Sequence, residues 1–510
     1  MDPTAPTIRR AAGATAIFLV CLCGPFSVTR AESAPPQVDE VIVGRARDYV
    51  AAVNAGDAPA VRRLRDNDIS GAFANSIPAG AFLQFFRNQH RVTGGEDFVD
   101  ARVRTGTPNV VDVALRDHVY GQLHGLTLTF DGEADQRLSA FELADGAPSW
   151  AISHRGAMPP SWLAIRSRQM VQRGCRAGVF SGAVLVAHGG QVLVQEACGE
   201  ASLRYHAKND VETRFNLGSM NKMFTAVAVM QLVEAGKVSL TDPLSKYADE
   251  AWLPHDITGR ITIEELLTHT SGLGSFFDDG WDKTPRDLYR ELNDYKPLIR
   301  TEKLAFPPGT KFQYSDTGMF MLGVVIERAS GESYFDYIRQ HVYAPAHMNR
   351  TDCYPMNEPV ENLATGYEYY SKGPYHWREN TFDDVFRGGP AGGGFSTVGD
   401  LFRFARALRS GKLLSPASVK LMWTDRSPND YGAGFEVSNT AAGKVVGHSG
   451  FFEGVSGRLS IFVDRGYVVA VLSNIDNGAP ALMDAIGDEI ALSRRFQSSV
   501  ALSSSPIPAA

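Results

Sequence analysis

The chain has 510 residues, more than one ordinary core holds, so two folded regions plus tails are expected. Its hydrophobic and charged fractions, 44% and 21%, are those of a globular protein. The net charge of −7, with no basic run, argues against a nucleic-acid partner.

The first residues, MDPTAPTIRRAAGATAIFLVCLCGPFSVTRAESAPP, read as a secretory signal over 1–31. Arg9 and Arg10 form its charged part, and Ala11 to Cys23 an apolar stretch too short for a membrane span. Thr29-Arg30-Ala31 suits cleavage before Glu32. The arginine pair fits twin-arginine export poorly, and neither Cys21 nor Cys23 follows the small residue that a lipid anchor requires. Cleavage leaves Cys175, Cys198 and Cys353; three thiols cannot all pair, and the sequence leaves open which would. No later stretch is long and apolar enough to cross a bilayer, so a periplasmic or secreted protein is expected.

Next, VDEVIVGRARDYVAAVNAGD has helical periodicity and stops at Gly56, and APAVRRL and AGAFLQFFRNQ read as short helices. The period then changes to two. NVVDVALRD, VYGQLHGLTLTFDG and QRLSAFELADG alternate as antiparallel strands. Helices followed by a meander make a small α+β accessory domain over 37–153. The pattern resembles the cone of the nuclear transport factor two superfamily, whose members can hold a ligand; an accessory role without chemistry is the plainer expectation. His118 and His124 fall on one strand face if that strand is unbroken. No third ligand lies near them in sequence, so they read as ordinary polar positions and not a metal site.

RGAMPPSW lies in the linker candidate, 154–162, and a second domain is expected over 163–495. It opens with a helix over 162–173, then SGAVLVAHGGQVLVQEACG, a hairpin turning at Gly189-Gly190. In NLGSMNKMFTAVAVMQLVEAGKVSL a helix runs to Gly236. Asp242-Pro243 reads as an N-cap with proline at the first helical position. Thr262 with Glu265, and Thr397 with Asp400, read as capping boxes. GKVVGHSG, GVSGRLSIFVD and GYVVAVLSN are three strands, and PALMDAIGDEIALSRRF a last helix. Strands at both ends with helices between predict a mixed α/β fold around one antiparallel sheet built from both termini. The remainder, 496–510, is expected to be a disordered tail.

Chemistry narrows quickly. No G-x-S-x-G elbow occurs, GGPAGGGFST lacks the lysine of a phosphate-cradling loop, and no His or Cys cluster has metal spacing. What remains is Ser219-x-x-Lys222, one helical turn apart on a face that reads as buried. A serine hydroxyl needs a base, and a lysine with a solution pKa of ~10.4 becomes one only when burial or nearby positive charge lowers that value. A tyrosinate beside a lysine cation is an alternative base. Developing oxyanion charge needs two backbone N–H groups, one from a helix N-terminus at Ser219 and one from an edge strand. FPPGTKFQYSDTGMFMLGVVIERASG places Tyr314 just before a helix, and GHSGFFEG places His448-Ser449-Gly450 on a strand.

These three motifs in this order resemble the serine β-lactamase and penicillin-binding-protein superfamily, in its class C β-lactamase branch with its esterases and D-Ala-D-Ala peptidases. ITIEELLTHTSGL and PAGGGFSTVGDLFRFARAL are similar to that branch as well, and the likeness covers roughly 163–492. The resemblance implies a sheet flanked by helices with an all-helical subdomain, and an acyl-enzyme mechanism without metal or organic cofactor. Ser219 would be the nucleophile, and Lys222 would take or relay its proton. Tyr314 would be general base and later proton donor, and the N–H groups of Ser219 and Phe451 the oxyanion hole. Asp316, His448, Ser449 and Gly450 would face the substrate, a small molecule or peptide, in one reading derived from peptidoglycan.

Two positions depart from the pattern. Asp316 stands where asparagine is usual; a carboxylate cannot donate to a substrate carbonyl, and it would hold Lys222 charged. The plainer alternative is that Asp316 only caps the following helix. His448 stands where lysine is frequent and would hold a substrate carboxylate less firmly. His269 in LTHTSG reads as support for a turn, and Phe276, Phe277, Trp281, Phe451 and Phe452 as pocket lining or plain packing. The expected activity is that of an exported serine esterase or D-amino-acid peptidase. The alternatives are a true β-lactamase and a catalytically silent peptidoglycan- or ligand-binding homologue.

Overall fold

The computed structural model describes residues 39–132, 136–144, 148–151, 158–277, 279–369 and 376–493. The expected export signal and tail lie outside the described residues. So do residues 154–157 of the linker candidate, whose last residues belong to a helix instead.

Helix α1 (Glu40–Ala55) begins where the Asp39 side chain accepts the Val41 N–H and ends where Gly56 turns left-handed at φ 58°. Helix α2 (Ala58–Asn67) starts on the Asp57 carboxylate, α3 (Gly71–Ser76) on the Ser70 hydroxyl, and α4 (Ala79–Thr93) ends at Gly94. A four-stranded antiparallel meander follows: β1 (Glu96–Val103), β2 (Val110–Asp117), β3 (Leu123–Phe130) and β4 (Leu138–Ala144). The helices cover one face, closing a core of Tyr49, Phe82, Phe86, Val113, Leu115 and Leu128. Strand β1 escapes the sequence pattern because Glu96, Asp97, Asp100 and Arg102 break its apolar alternation.

The run VYGQLHGLTLTFDG is not one strand. Residues 118–120 form a turn and β3 begins at Leu123, so His118 and His124 do not share an unbroken strand. His118 instead reaches Asp97 at 3.1 Å, and His124 reaches Glu96 at 3.2 Å. Among the described residues no group of three or more His, Cys, Asp or Glu is placed to hold a metal.

The second region starts with α5 (Pro160–Ala177), its proline in the first turn where no N–H is missed. Strands β5 (Gly182–His188) and β6 (Gln191–Cys198) form the hairpin, with Gly189 and Gly190 both at positive φ. The longer helices that follow are α6 (Asn221–Glu234), α7 (Asp316–Ser330) and α8 (Val398–Arg409). Strands β7 (Glu436–Thr440), β8 (Gly443–Phe452), β9 (Val455–Phe462) and β10 (Tyr467–Ser473) precede α9 (Pro480–Leu492). The sheet runs β7-β8-β9-β10-β5-β6 and is antiparallel throughout, so both ends of the region meet in its middle.

Helices α5 and α9 pack on one face of this sheet and the remaining helices on the other. Val119 and Tyr120, from the turn after β2, join the core under α5 and so dock the first region on the second. Arg91 of α4 adds a contact over the Tyr369 ring at 5.0 Å. Cys175 and Cys198 form a disulfide between α5 and the end of β6, and Cys353 is a buried free thiol. No helix among the described residues is long and apolar enough to cross a membrane.

The punctuation is partly as read. Thr262 and Glu265 form a complete capping box on the short helix Ile263–Leu267. Thr397 accepts the Asp400 N–H, but the Asp400 carboxylate turns to Thr351 and Arg403 and closes no box. Asp242 caps no helix. Its carboxylate takes Lys246, the Tyr247 hydroxyl and the Ser239 N–H, which hold it down at about 2.

Candidate active site

Ser219 sits in a tight turn, Gly218–Met220, directly before α6. The turn is fixed on two sides. Leu217 N–H donates to Gly394 O at 2.7 Å and Gly393 N–H to Gly218 O at 3.1 Å, and Phe215–Asn216 pairs with Phe395–Ser396. The glycine-rich stretch therefore cradles the serine turn and not a phosphate. On the other side runs β8. Gly218 has φ 49°, and a Cβ there would lie 3.0 Å from the Phe451 nitrogen. A Cβ on Gly450 would fall 1.9 Å from Leu217 O. Both positions require glycine because two backbones pass in contact.

Helix α6 is not amphipathic in its setting. It is buried on nearly every side, and Lys222 has 0% exposure. Such a lysine must spend its donors, and it does. Lys222 Nζ lies 2.9 Å from Ser219 Oγ, 2.8 Å from Asp316 Oδ1 and 2.5 Å from Ala391 O. Burial pulls the ammonium below its ordinary range, opposed by the Asp316 charge.

Asp316 neither turns away nor caps α7. The cap is Ser315, whose hydroxyl accepts the Gly318 N–H at 2.8 Å, while Asp316 Oδ2 accepts the Ser275 hydroxyl at 2.9 Å.

Tyr314 presents its ring to Lys222, with Nζ 4.8 Å from the ring centroid, and its hydroxyl contacts Ser219. Tyr314 keeps 38% of its surface exposed, yet desolvation in the pocket and then the Asp316 charge push the phenol above its ordinary value, with the Ser219 contact opposing. The pull is toward a neutral phenol at rest. His269 holds this tyrosine from behind. It is buried at φ 57°, its ring 4.3 Å from that of Tyr314, and its Nδ1 accepts the Ser315 N–H at 3.1 Å. Burial keeps it neutral, well below its ordinary value.

Strand β8 carries His448, Ser449, Gly450 and Phe451 past the site. Pairing with β7 ends at Glu436 opposite Gly447, so the strand edge is open from His448 onward. There the Glu436 carboxylate takes the Ser449 N–H at 3.0 Å and also accepts the Ser449 hydroxyl. Two residues on, the strand period turns the Phe451 N–H to the same side, beside the serine turn.

His448 corrects the sequence expectation. It is 1% exposed, its Nε2 faces the Tyr431 hydroxyl at 2.9 Å and its Nδ1 the Ser449 carbonyl at 2.6 Å. One neutral tautomer satisfies both contacts, and burial lowers its pKa. With both ring nitrogens engaged and Glu436 Oε1 3.6 Å from Nδ1, the buried ring is not open to a substrate carboxylate. Phe276 and Trp281 are core residues, whereas Phe277 and Phe451 stay exposed. Tyr431 and Glu436 were not foreseen. They share the stretch NDYGAGFEV, which has no motif, and only their placement against HSG reveals them.

Residues 167–492 match the family model described as Beta-lactamase. The chain belongs to the beta-lactamase family. It is 32% identical over 305 residues to a Bacillus subtilis (strain 168) protein, PbpX, named as a penicillin-binding protein, a match covering 59% of this chain and 72% of that one. A second penicillin-binding protein of the same strain is 31% identical over 315 residues, covering 58% and 68%. The crystal structure of a penicillin-binding protein from Bacillus halodurans superposes with a TM-score of 0.58 at 29% identity, over 63% of this chain and 98% of that one. The family match lies in the second region, with its mixed α/β fold and antiparallel sheet.

Proposed function

We propose that this family member is an exported serine hydrolase that cleaves an ester or amide through an acyl-enzyme on Ser219. The observation that carries the reading is the fully buried Lys222 ammonium held 2.9 Å from the Ser219 hydroxyl. In its uncharged form Lys222 takes the Ser219 proton as Oγ bonds to the substrate carbonyl carbon. The carbonyl oxygen gathers negative charge facing the N–H groups of Ser219 and Phe451. When the C–O or C–N bond breaks, the leaving group takes a proton through the Tyr314 phenol, which recovers one from Lys222. Water then repeats the sequence in reverse on the acyl-enzyme.

The Cys175–Cys198 disulfide supports passage through an oxidising compartment, in line with the leader read in residues 1–31. We read 37–153 as an accessory domain and 163–495 as the hydrolase. A fluorophosphonate label, or penicillin, on the mature protein tests the mechanism. The expected result is a mass increment on the peptide carrying Ser219 that is absent from Ser219→Ala. A labelled wild type whose increment survives in that variant removes Ser219 from the role.

A further inference from the structure

We infer that the acyl side of the pocket selects substrates that carry a free ammonium or other donor next to the scissile carbonyl, and disfavours N-acylated and anionic ones. This rests on the hydrolase reading above and names its substrate class. What decides it is the count of side-chain donors other than the Tyr314 phenol, which serves the leaving group. Lys222 points its Nζ at three oxygens of the protein, those of Ser219, Asp316 and Ala391. An ammonium has three N–H groups, so none remains for a substrate. The Ser275 hydroxyl gives its proton to Asp316, and the Ser449 hydroxyl gives its proton to Glu436. The His448 ring is closed off between Tyr431 and the Ser449 carbonyl.

The acceptors are in surplus. Asp316 receives one hydrogen bond on each oxygen and keeps 19% of its side-chain surface open. A carboxylate offers about four lone-pair sites, so about two stay available for a donor. Glu436, 34% open, stands at the other end of the HSG stretch and has Arg458 at 3.9 Å. Burial would raise this carboxyl, but the Arg458 charge and the hydrogen bonds from Ser449 oppose it, and it stays below the usual range. An acylamino carbonyl brought to Asp316 meets oxygen against oxygen, with no N–H in between. A substrate ammonium there meets a charge-assisted acceptor. A terminal substrate carboxylate at the HSG end meets Glu436.

The test compares alanine p-nitroanilide with its N-acetyl and N-succinyl derivatives, in both D and L forms, at pH 7, where an α-amine of pKa ~8 is mostly protonated. Hydrolysis of p-nitrophenyl acetate serves as the neutral reference. The wild type is expected to prefer the free amine over the N-acetyl compound by on the order of 10- to 100-fold in kcat/KM, with the N-succinyl compound slowest. Asp316→Asn is expected to shrink that preference at least about tenfold, because the amide restores a donor. Competition of alanine amide and N-acetylalanine amide against p-nitrophenyl acetate gives the same ranking without any variant. Equal or better use of the N-acetyl or N-succinyl compound, with p-nitrophenyl acetate still hydrolysed, overturns this inference alone. No hydrolysis of any compound together with no label on Ser219 removes the hydrolase reading, and this inference falls with it.

Discussion

Lys222 on α6 and Glu96 on β1 are both closed off from solvent, one in each region, and the protein treats them differently. Lys222 meets three oxygens drawn from positions 219, 316 and 391, so two distant segments join its own turn at one nitrogen. Glu96 is held firmly by its backbone, where Asn54 takes both its N–H and its carbonyl, at 2.6 and 2.9 Å. Its carboxyl is less well served. One oxygen meets His124, while the other, like the nearby Tyr49 hydroxyl, has no partner among the described residues. Burial and then the Glu96 charge push Tyr49 well above its ordinary value. An ionisable group whose every donor is spoken for is fixed in position and able to do chemistry. One that is partly satisfied mainly costs stability. The two regions therefore differ in what a substitution should change.

The strongest test of that contrast is Lys222→Ala. It removes the proton acceptor and leaves Asp316 without its cation, so kcat/KM on a neutral nitrophenyl ester should fall on the order of a thousandfold or more. A variant that kept a tenth of wild-type activity would show that the convergence of three oxygens has no chemical purpose. Tyr314→Phe keeps the ring against Lys222 and His269 but deletes the hydroxyl. The expected loss is about a hundredfold in kcat, read most directly with leaving groups of increasing pKa, for which a proton donor matters most.

Asp316→Asn acts on the same lysine more gently. The uncharged amine is the active form, and the carboxylate raises the Lys222 pKa against the pull of burial. Without the carboxylate that pKa drops further. The acid limb of kcat/KM should then move to lower pH, and amides or lactams should be turned over better. His269 and His448 are both held neutral by burial, so they do not supply a competing limb near neutrality. A pH profile that superposes on that of the wild type would mean that Lys222 is not the titrating base.

What the sequence could and could not reveal follows from range. Gly189-Gly190, the alternation of β2 to β4 and the closing strands are local signals, and they were readable. Ser219, Lys222 and Tyr314 were readable because each sits in a short motif with recognisable flanks. The ion pair of Lys222 with Asp316 spans 94 residues, and no local pattern says whether a carboxylate turns inward or caps a helix. The burial of His448 depends on Tyr431 covering it, 17 positions away and outside any motif. Strand β1 stayed hidden for another reason. Its charged residues find partners across the domain, Glu96 with His124 and Asp97 with His118, so polarity there did not mean a loop.

That last pairing supplies the mildest test, on the other side of the contrast. His124→Ala strips the Glu96 carboxyl of its one partner among the described residues and leaves both of its oxygens bare in the core. Leaving a buried polar group unpaired costs about 1–3 kcal/mol. The unfolding transition of the first region, followed by urea titration, should shift to lower denaturant by that energy divided by the slope m. The slope should stay the same, because the surface exposed on unfolding is unchanged. Activity on a nitrophenyl ester should stay within about twofold of wild type, since the docking contacts of Val119, Tyr120 and Arg91 do not use His124 or Glu96. A large loss of activity in a folded His124→Ala protein would break the division drawn between the regions. It would mean that the state of the Glu96 carboxyl reaches the Ser219 pocket through the Val119–Tyr120 contact under α5.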